Sequence, residues 1–550
     1  MQVEQKPRIL RIKNTLPFLL VCFLIIAGYR SEAQQIIAPS NPGDTIRIIQ
    51  IVQGKSLRQI NLDSVTVLET IAGSVIIKEG LTTFYCDSAT LNKRTNILEA
   101  FGNIHINDND SVHTYAQYLK YVGSERIAYL KKDVKLTDNK GVLLTDELEY
   151  NLRTGIATYK NGGKIINGQT VLTSKEAVYY ANTKDVYFKK TVHMTDPDRN
   201  IWADSLLYNV NTNIATFISP THIEGKDGSV IDTKNGTYNL KTGEARFYDR
   251  TMFKDSTHSV IGDNLAYDKL TGILEVEGNG KFVDSVNRVI VTGNRLYVDS
   301  KKNSFLATRK PVMILYRDGD STYIAGDTLF SGLRKYDSLE RKMITTMDTL
   351  KKTIAVKANA DTSVRYFLAF HHVRIYNDSL QAVSDSLHYT TADSTFKLFG
   401  QPIVWNNQSQ ITGDTMYLYT ENQKAKRMYV FNNSIIISKT SESLFNQISG
   451  RTLNGYFKEG NIDYVRVKGS PAESVFYPQD DDSAYVGMNR TSGDLIDIYF
   501  VNKELNKVKF VNNIDGTMYP MRQIPADQRE LKNFKWLDNR RPKNKLELFE

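Results

Sequence analysis

Past residue 28 the chain holds no apolar run long enough to cross a membrane as a helix, which takes roughly 20 residues, so no helical span is expected beyond the N-terminus. Cysteine is nearly absent: Cys22 and Cys86 are the two in 550 residues. A lone pair so placed cannot staple the fold with a disulfide. The net charge of +9 is modest for the length, and Lys and Arg are scattered among Asp and Glu. Without a dense basic stripe, nucleic-acid binding is not expected. There is no G-x-x-x-x-G-K-[ST] loop for nucleotide phosphates and no nucleophile elbow or Ser/His/Asp arrangement. The adjacent His371 and His372 would point to opposite faces of a strand, a poor start for one metal site. Asp480 to Asp482 lacks the spaced ligands and glycine of a calcium loop. No enzyme, cofactor or metal is expected.

The N-terminus is an address. Lys6, Arg8, Arg11 and Lys13 precede the short apolar run Leu16 to Gly28, and Ser31-Glu-Ala33 offers a small-x-small cleavage site. That is the layout of a secretory signal peptide over residues 1–33, with Gln34 as the new first residue. Cys22 follows Val21 inside the apolar run, out of place for lipidation, so Cys86 alone would remain.

What the chain has is a period. Tyr121, Tyr150, Tyr179, Tyr208, Tyr238, Tyr267 and Tyr297 recur at gaps of 29 or 30 residues. Polar anchors recur with them, at Asp87, Gln117, Asp146, Lys175, Asp204, Lys234, Asp263, Gly293, Asp327, Asp385 and Asp414. Such self-similarity marks a stacked architecture, in which no unit buries its apolar face alone. In Asp146-Glu-Leu-Glu-Tyr150 the alternation of period two puts Asp146, Leu148 and Tyr150 on one face and Glu147 and Glu149 on the other, as in a half-buried strand. A turn such as Asn151-Leu-Arg-Thr-Gly155 follows. Small or apolar residues then return 11 and 13 positions after the anchor, as with Ala157 and Tyr159 or Ala215 and Phe217. A third short strand is expected at Ile104-His-Ile106 and its counterparts. The anchors read as corner residues that cap turn N–H groups.

The expected fold is all-β: an elongated, twisted jelly roll or solenoid of roughly twelve such repeats in two antiparallel sheets. One rung per unit would add about 4.8 Å of length. Residues 34–64 form a leader, with 45–52 as a first edge strand. Repeats fill 65–330 and 363–470. Residues 331–362 read as an insertion, partly helical through 336–350. In 471–550 strands are expected near 494–500 and 507–512, then an amphipathic helix over 526–537 and a basic tail.

The inward row mixes Ala with large aromatics, which leaves room for a cleft. The repeated Asp-x-Leu-x-Tyr, the following Ala/Leu-x-aromatic strand and the Gly-Asn-Val-type turn resemble the OstA family. Examples are Leu98-Glu-Ala-Phe-Gly-Asn-Ile-His-Ile106, Ile261-Gly-Asp-Asn-Leu-Ala-Tyr-Asp268 and Gly272-Ile-Leu-Glu-Val-Glu-Gly278. The resemblance covers about residues 65–470. It implies a periplasmic protein whose two sheets hold the lipid A acyl chains of lipopolysaccharide and which stacks by its strand edges on other transport proteins, or on itself. The large member of that family adds a C-terminal membrane barrel, and this chain has no region of that size. The groove candidates are Leu148, Tyr150, Ala157, Leu206, Tyr208, Ala215, Leu265, Tyr267 and Leu274. Two other readings stand beside this one. One is an outer-membrane β-barrel, which the charged outward faces disfavour. The other is an exported adhesive β-solenoid with a dry core.

Overall fold

The structure is a computed structural model that describes residues 48–549 apart from 62, 64–65, 139, 318–319, 336–362, 422–423, 460 and 502–503. The expected signal peptide, the start of the leader and the helix over 336–350 lie outside the described residues. Those described form forty strands, all paired antiparallel, and short 3₁₀ turns near the C-terminus.

The strands are bent, and the bend organises everything else. Val67–Glu79, Thr82–Asn92, Ile97–Asp108 and Val112–Val122 each pair with the next in sequence, and in each ladder the register slips near the middle. On alternate strands the slip coincides with two consecutive residues in the left-handed region: Gly73-Ser74, Gly102-Asn103, Lys132-Asp133, Gly278-Asn279 and others. Such bulges turn a strand sharply. Each strand therefore starts in one leaf and ends in a second, and the bends line up as a corner. Residues 67–72, 88–92, 97–101 and 118–122 belong to the first leaf. Residues 75–79, 82–85, 104–108 and 112–115 belong to the second. At Gly102 the bend also requires the missing side chain, because a Cβ there would lie 2.4 Å from Asp87 Oδ2.

One 29–30-residue unit is thus two bent strands, out and back. It adds two strand spacings to the stack, about 9.6 Å, where the sequence suggested one. The segment Ile104-His-Ile106 is no third strand but the second-leaf half of Ile97–Asp108.

The polar anchors sit at the corner, on the strands that lack the left-handed pair. The backbone N–H of Asp263 donates to Gly278 O, and that of Asp414 to Phe431 O. Their carboxylates accept from the left-handed asparagines: Asn103 on Asp87 (2.9 Å), Asn279 on Asp263 (2.7 Å), Asn433 on Asp414 and Asn513 on Asp494 (both 3.0 Å). Asp87, Asp263 and Asp414 are corner residues as expected, but their carboxylates accept from side-chain amides. His371 and His372 are themselves a left-handed corner pair, exposed and bonded to Asp385 and Asp327. They do not flank a flat strand. Turn chemistry repeats at the first-leaf tips, where Asn92, Asn151, Asn209 and Asn239 accept the N–H groups two and three residues on.

Between the leaves lies one continuous apolar core that runs from Ile49 to Ile498. Ring contacts join the leaves across it, as between Phe84 and Tyr121 (4.9 Å) and between Phe282 and Phe305 (6.0 Å).

The last thirty residues run back over the outside. The segment 526–537 is not the expected amphipathic helix: a 3₁₀ turn at Ala526–Gln528 is followed by irregular, extended chain. Two buried glutamines hold its backbone. Gln447 donates to Arg529 O and accepts from Leu531 N–H, both at 2.8 Å. Gln410 donates to Lys535 O at 2.7 Å and accepts from Leu537 N–H at 2.8 Å. Arg541 then bonds Gln381 Oε1, and Arg374 reaches Glu547 O. Along this path Ile524 and Leu531 cover Ile435, Ile437, Val475 and Met488, Leu537 covers Val383, Ile403 and Trp405, and Leu548 covers Val312 and Ala325. The outer face of the second leaf is apolar here because the chain itself covers it.

Candidate functional site

The candidate site is the inner face of the first leaf, and alternation builds it from two rows. In the first row the paired residues run Leu98, Tyr121, Ala128, Tyr150, Ala157, Tyr179, Val186, Tyr208, Ala215, Tyr238, Ala245, Tyr267 and Leu274, each opposite the next across a ladder. Each tyrosine stands between small or aliphatic neighbours. The second row places Leu130 opposite Leu148, and Phe188, Leu206 and Phe217 in succession, then Phe247, Leu265 and Val276.

All nine candidates lie on these rows. Leu148, Tyr150, Ala157, Leu206, Tyr208, Ala215, Leu265 and Leu274 are buried, Leu206 and Tyr208 at 0% exposure, while Tyr267 is half-buried against the same core. The alanines leave no open cleft, because the neighbouring tyrosine rings occupy the space beside them. Two polar pockets of ≈ 540 and ≈ 560 Å³ lie elsewhere, one by Asp414, Arg451 and Lys532 and one by Ser394, Arg427 and Tyr456. Tyr297 leaves the row. It pairs opposite Glu275, and Val298 takes the inward place opposite Leu274.

Opposite the corner the two leaves present their turn tips to each other across a mouth. The row tyrosines reach over it with their hydroxyls. Tyr121 donates to Glu79, Tyr150 to Asp108 Oδ2 at 3.0 Å and Tyr179 to Asp138 Oδ2 at 2.6 Å. At Tyr208 the hydroxyl accepts from Asn167 Nδ2 at 2.8 Å, and at Tyr238 the Arg199 guanidinium lies 4.7 Å from the ring centre. Cations stand behind the acids: Arg126 is 3.5 Å from Glu79, and Lys184 is 2.7 Å from Asp138. Burial first, and then the partner carboxylate, push the Tyr121, Tyr150 and Tyr179 phenols well above their usual range. Burial pushes the Asp138 carboxyl up as well, but bonds from Lys184, Tyr179 and the Gly141 N–H outweigh it and hold Asp138 at about 2.

The sequence reading missed these partners. Their signal was there, since Glu79, Asp108, Asp138 and Asn167 follow one another at 29, 30 and 29 residues. They went unseen because they sit where strands end at turns, where a polar residue needs no explanation.

A bent, two-leaf β structure with an apolar interior and a repeat of 29–30 residues is now in view. Residues 48–204 match the family model of OstA-like protein. No curated protein matches the chain. The OstA-like family belongs to periplasmic lipopolysaccharide transport and is a family of transport and binding proteins, not of enzymes. The OstA-like stretch contains the first rungs of the mouth, from Glu79 to Tyr179, and the Leu148, Tyr150 and Ala157 part of the inner rows. Among the described residues no cluster of three or more His, Cys, Asp or Glu is placed to hold a metal. The one cysteine described, Cys86, is free and buried, and burial raises its thiol to about 12.

Asp138 gives a pH test of the mouth. Its folded value lies below the roughly 3.9 of an unfolded aspartate. It therefore adds stability that is present above about pH 4 and lost as pH falls through the folded value near 2. Acid titration followed by circular dichroism is expected to show wild type losing stability across that window. Asp138→Asn should be less stable at neutral pH and should flatten the loss between pH 4 and 2. Superimposable acid curves would contradict the assignment.

Proposed function

We propose that this protein binds the acyl chains of lipopolysaccharide between its two leaves, in the periplasm, and passes them toward the outer membrane. The observation that carries the reading is the unbroken pair of inner apolar rows, which begins inside the stretch that matches the OstA-like family. Acyl chains need such a path, because each CH₂ left in water costs about 0.8 kcal/mol. Near-identical rungs let a lipid advance with little change in free energy from one to the next. The groove is formed by Leu148, Tyr150, Ala157, Leu206, Tyr208, Ala215, Leu265, Tyr267 and Leu274 once the leaves separate. Partners join at the strand edges. Gln50–Gln53 and Ser56–Asn61 at one end, and Asp515–Pro520 at the other, each pair on one side only among the described residues. Such edges accept a further strand.

The filled inner rows favour a second reading, a dry β structure that holds no lipid. In-cell photocrosslinking separates the two. A reactive residue at Leu206 is expected to give a lipopolysaccharide adduct, and one at Leu207, on the opposite face, is expected to give none. A folded protein without adducts at either site would leave the dry structure. Phospholipid adducts at Leu207 would point to an outward face in contact with a bilayer.

A further inference from the structure

The hydroxyls of Tyr121, Tyr150 and Tyr179 and their acids cross the mouth at regular intervals, 42, 42 and 41 residues apart in sequence. Asn167 continues the row to Tyr208 at 41. We infer that this row is a latch, and that the leaves part at the mouth, rung by rung, to admit an amphiphile sideways. The inference rests on the lipid-binding reading for what is admitted, but not for the opening itself.

Three observations fix the mouth as the place that opens. At the corner the leaves are one backbone, since every bent strand runs through it, so they cannot part there. Across the mouth from Glu79 to Asn213 the described hydrogen bonds between leaves come from side chains, including Lys140 to Asn211 and Asn167 to Val210 O. Side-chain bonds exchange for water bonds without disturbing the ladders. Each rung also spans about one and a half repeats, so releasing one loosens the units on both sides of the next. Opening then travels along the stack instead of happening at once.

The first rung is the weakest. Glu79 is fully buried, yet its Oε1 has no hydrogen-bond partner among the described residues, and neither does Arg126 Nε beside it. A half-satisfied buried network is costly to keep closed. Opening therefore starts at the end that carries Glu79, next to the edge strands Gln50–Gln53 and Ser56–Asn61, and proceeds toward Tyr208. Phenylalanine at these positions keeps the ring in the core and removes the hydroxyl donor, which leaves the partner acid one bond short.

The test uses the full chain. In a Cys86→Ala background, Leu148→Cys places a thiol on the inner row beside the Tyr150 rung, and its rate of maleimide labelling reports how often the mouth opens. With Tyr121→Phe, Tyr150→Phe and Tyr179→Phe together, labelling is expected to quicken by tenfold or more. Tyr150→Phe alone, the milder variant should the triple fail to fold, is expected to quicken it severalfold. Unchanged rates in the folded variants would overturn the latch whether or not lipid binds. A staple tests the route. A Cβ on Gly141 would lie 3.2 Å from Val210 Cγ1 across the mouth, so Gly141→Cys with Val210→Cys should close it by a disulfide. Fluorescent lipopolysaccharide is expected to load the reduced form and not the oxidised one. Equal loading of both would overturn the sideways route. Loading of neither, with the labelling difference intact, would defeat the lipid reading and leave the latch standing.

Discussion

Deleting residues 521–550 is expected to make the protein associate through the outside of its second leaf and to make its C-terminal half unfold early. The deletion uncovers Ile435, Ile437, Val475, Met488, Val383, Ile403 and Trp405 on the outside of the second leaf. It also strands the side-chain amides of Gln447 and Gln410, which are almost wholly buried beneath the tail. Each buried amide left without partners costs about 1–3 kcal/mol, and an exposed apolar stripe of that length is an association site. The damage should stay local, because each unit leans only on its neighbours. Size-exclusion chromatography should show higher oligomers, an apolar dye should bind, and thermal unfolding should split into two steps. Gln410→Ala with Gln447→Ala in the full chain should shift the same transition by less. A truncated protein that elutes like the full chain, stays dark to the dye and is unchanged in melting would remove the tail from any structural role.

Leu206→Asp is expected to be the most damaging single substitution in the inner rows. Leu206 is fully buried between Phe188 and Phe217, and a carboxylate there would be buried without a partner. Such substitutions cost on the order of 4 kcal/mol or more. Leu207→Asp, one residue on and facing outward, should cost about 1 kcal/mol or less. Limited proteolysis with mass spectrometry reads the contrast. New cleavage should centre on Arg199–Asn209 and its ladder partners in the first variant and be absent in the second. Equal sensitivity of the two would mean that alternation does not set the faces here.

Those faces are legible in the sequence. Period-two alternation and a constant 29–30-residue phase placed all nine row candidates on the inner side, because both signals are local. Tyr297 escaped for a reason equally local. The inward positions step from Leu265 and Tyr267 to Leu296 and Val298, 31 residues rather than 29 or 30, and the next residue inherited the place. The count of strands per unit was misjudged because a corner inside a strand looks, in sequence, like a turn between strands. Gly102-Asn103 at a bend and Asn109-Asp110 at a hairpin both adopt the left-handed region; only the ladder tells them apart. The tail was the least legible part. Its apolar residues looked helical because their spacing answers to an outer row far away in sequence, and no local pattern records that. The mouth partners fall between these cases, periodic in the sequence but disguised as ordinary turn residues.

The order of the strands has a consequence for how the molecule comes into being. Nearly every bent strand pairs with the one made just before it, so structure can accumulate as the chain emerges, without waiting for distant segments and with short loops to close. The segment that ends at Phe549 is the exception. It is made after every strand it covers and lies back over strands that begin as early as Val312–Arg317. A chain that stops between Pro520 and Ile524 would carry the long inner core and a bare apolar flank. Exposure of that flank is therefore tied to the progress of synthesis: it lasts until Ile524, Leu531, Leu537 and Leu548 have been made and laid over it.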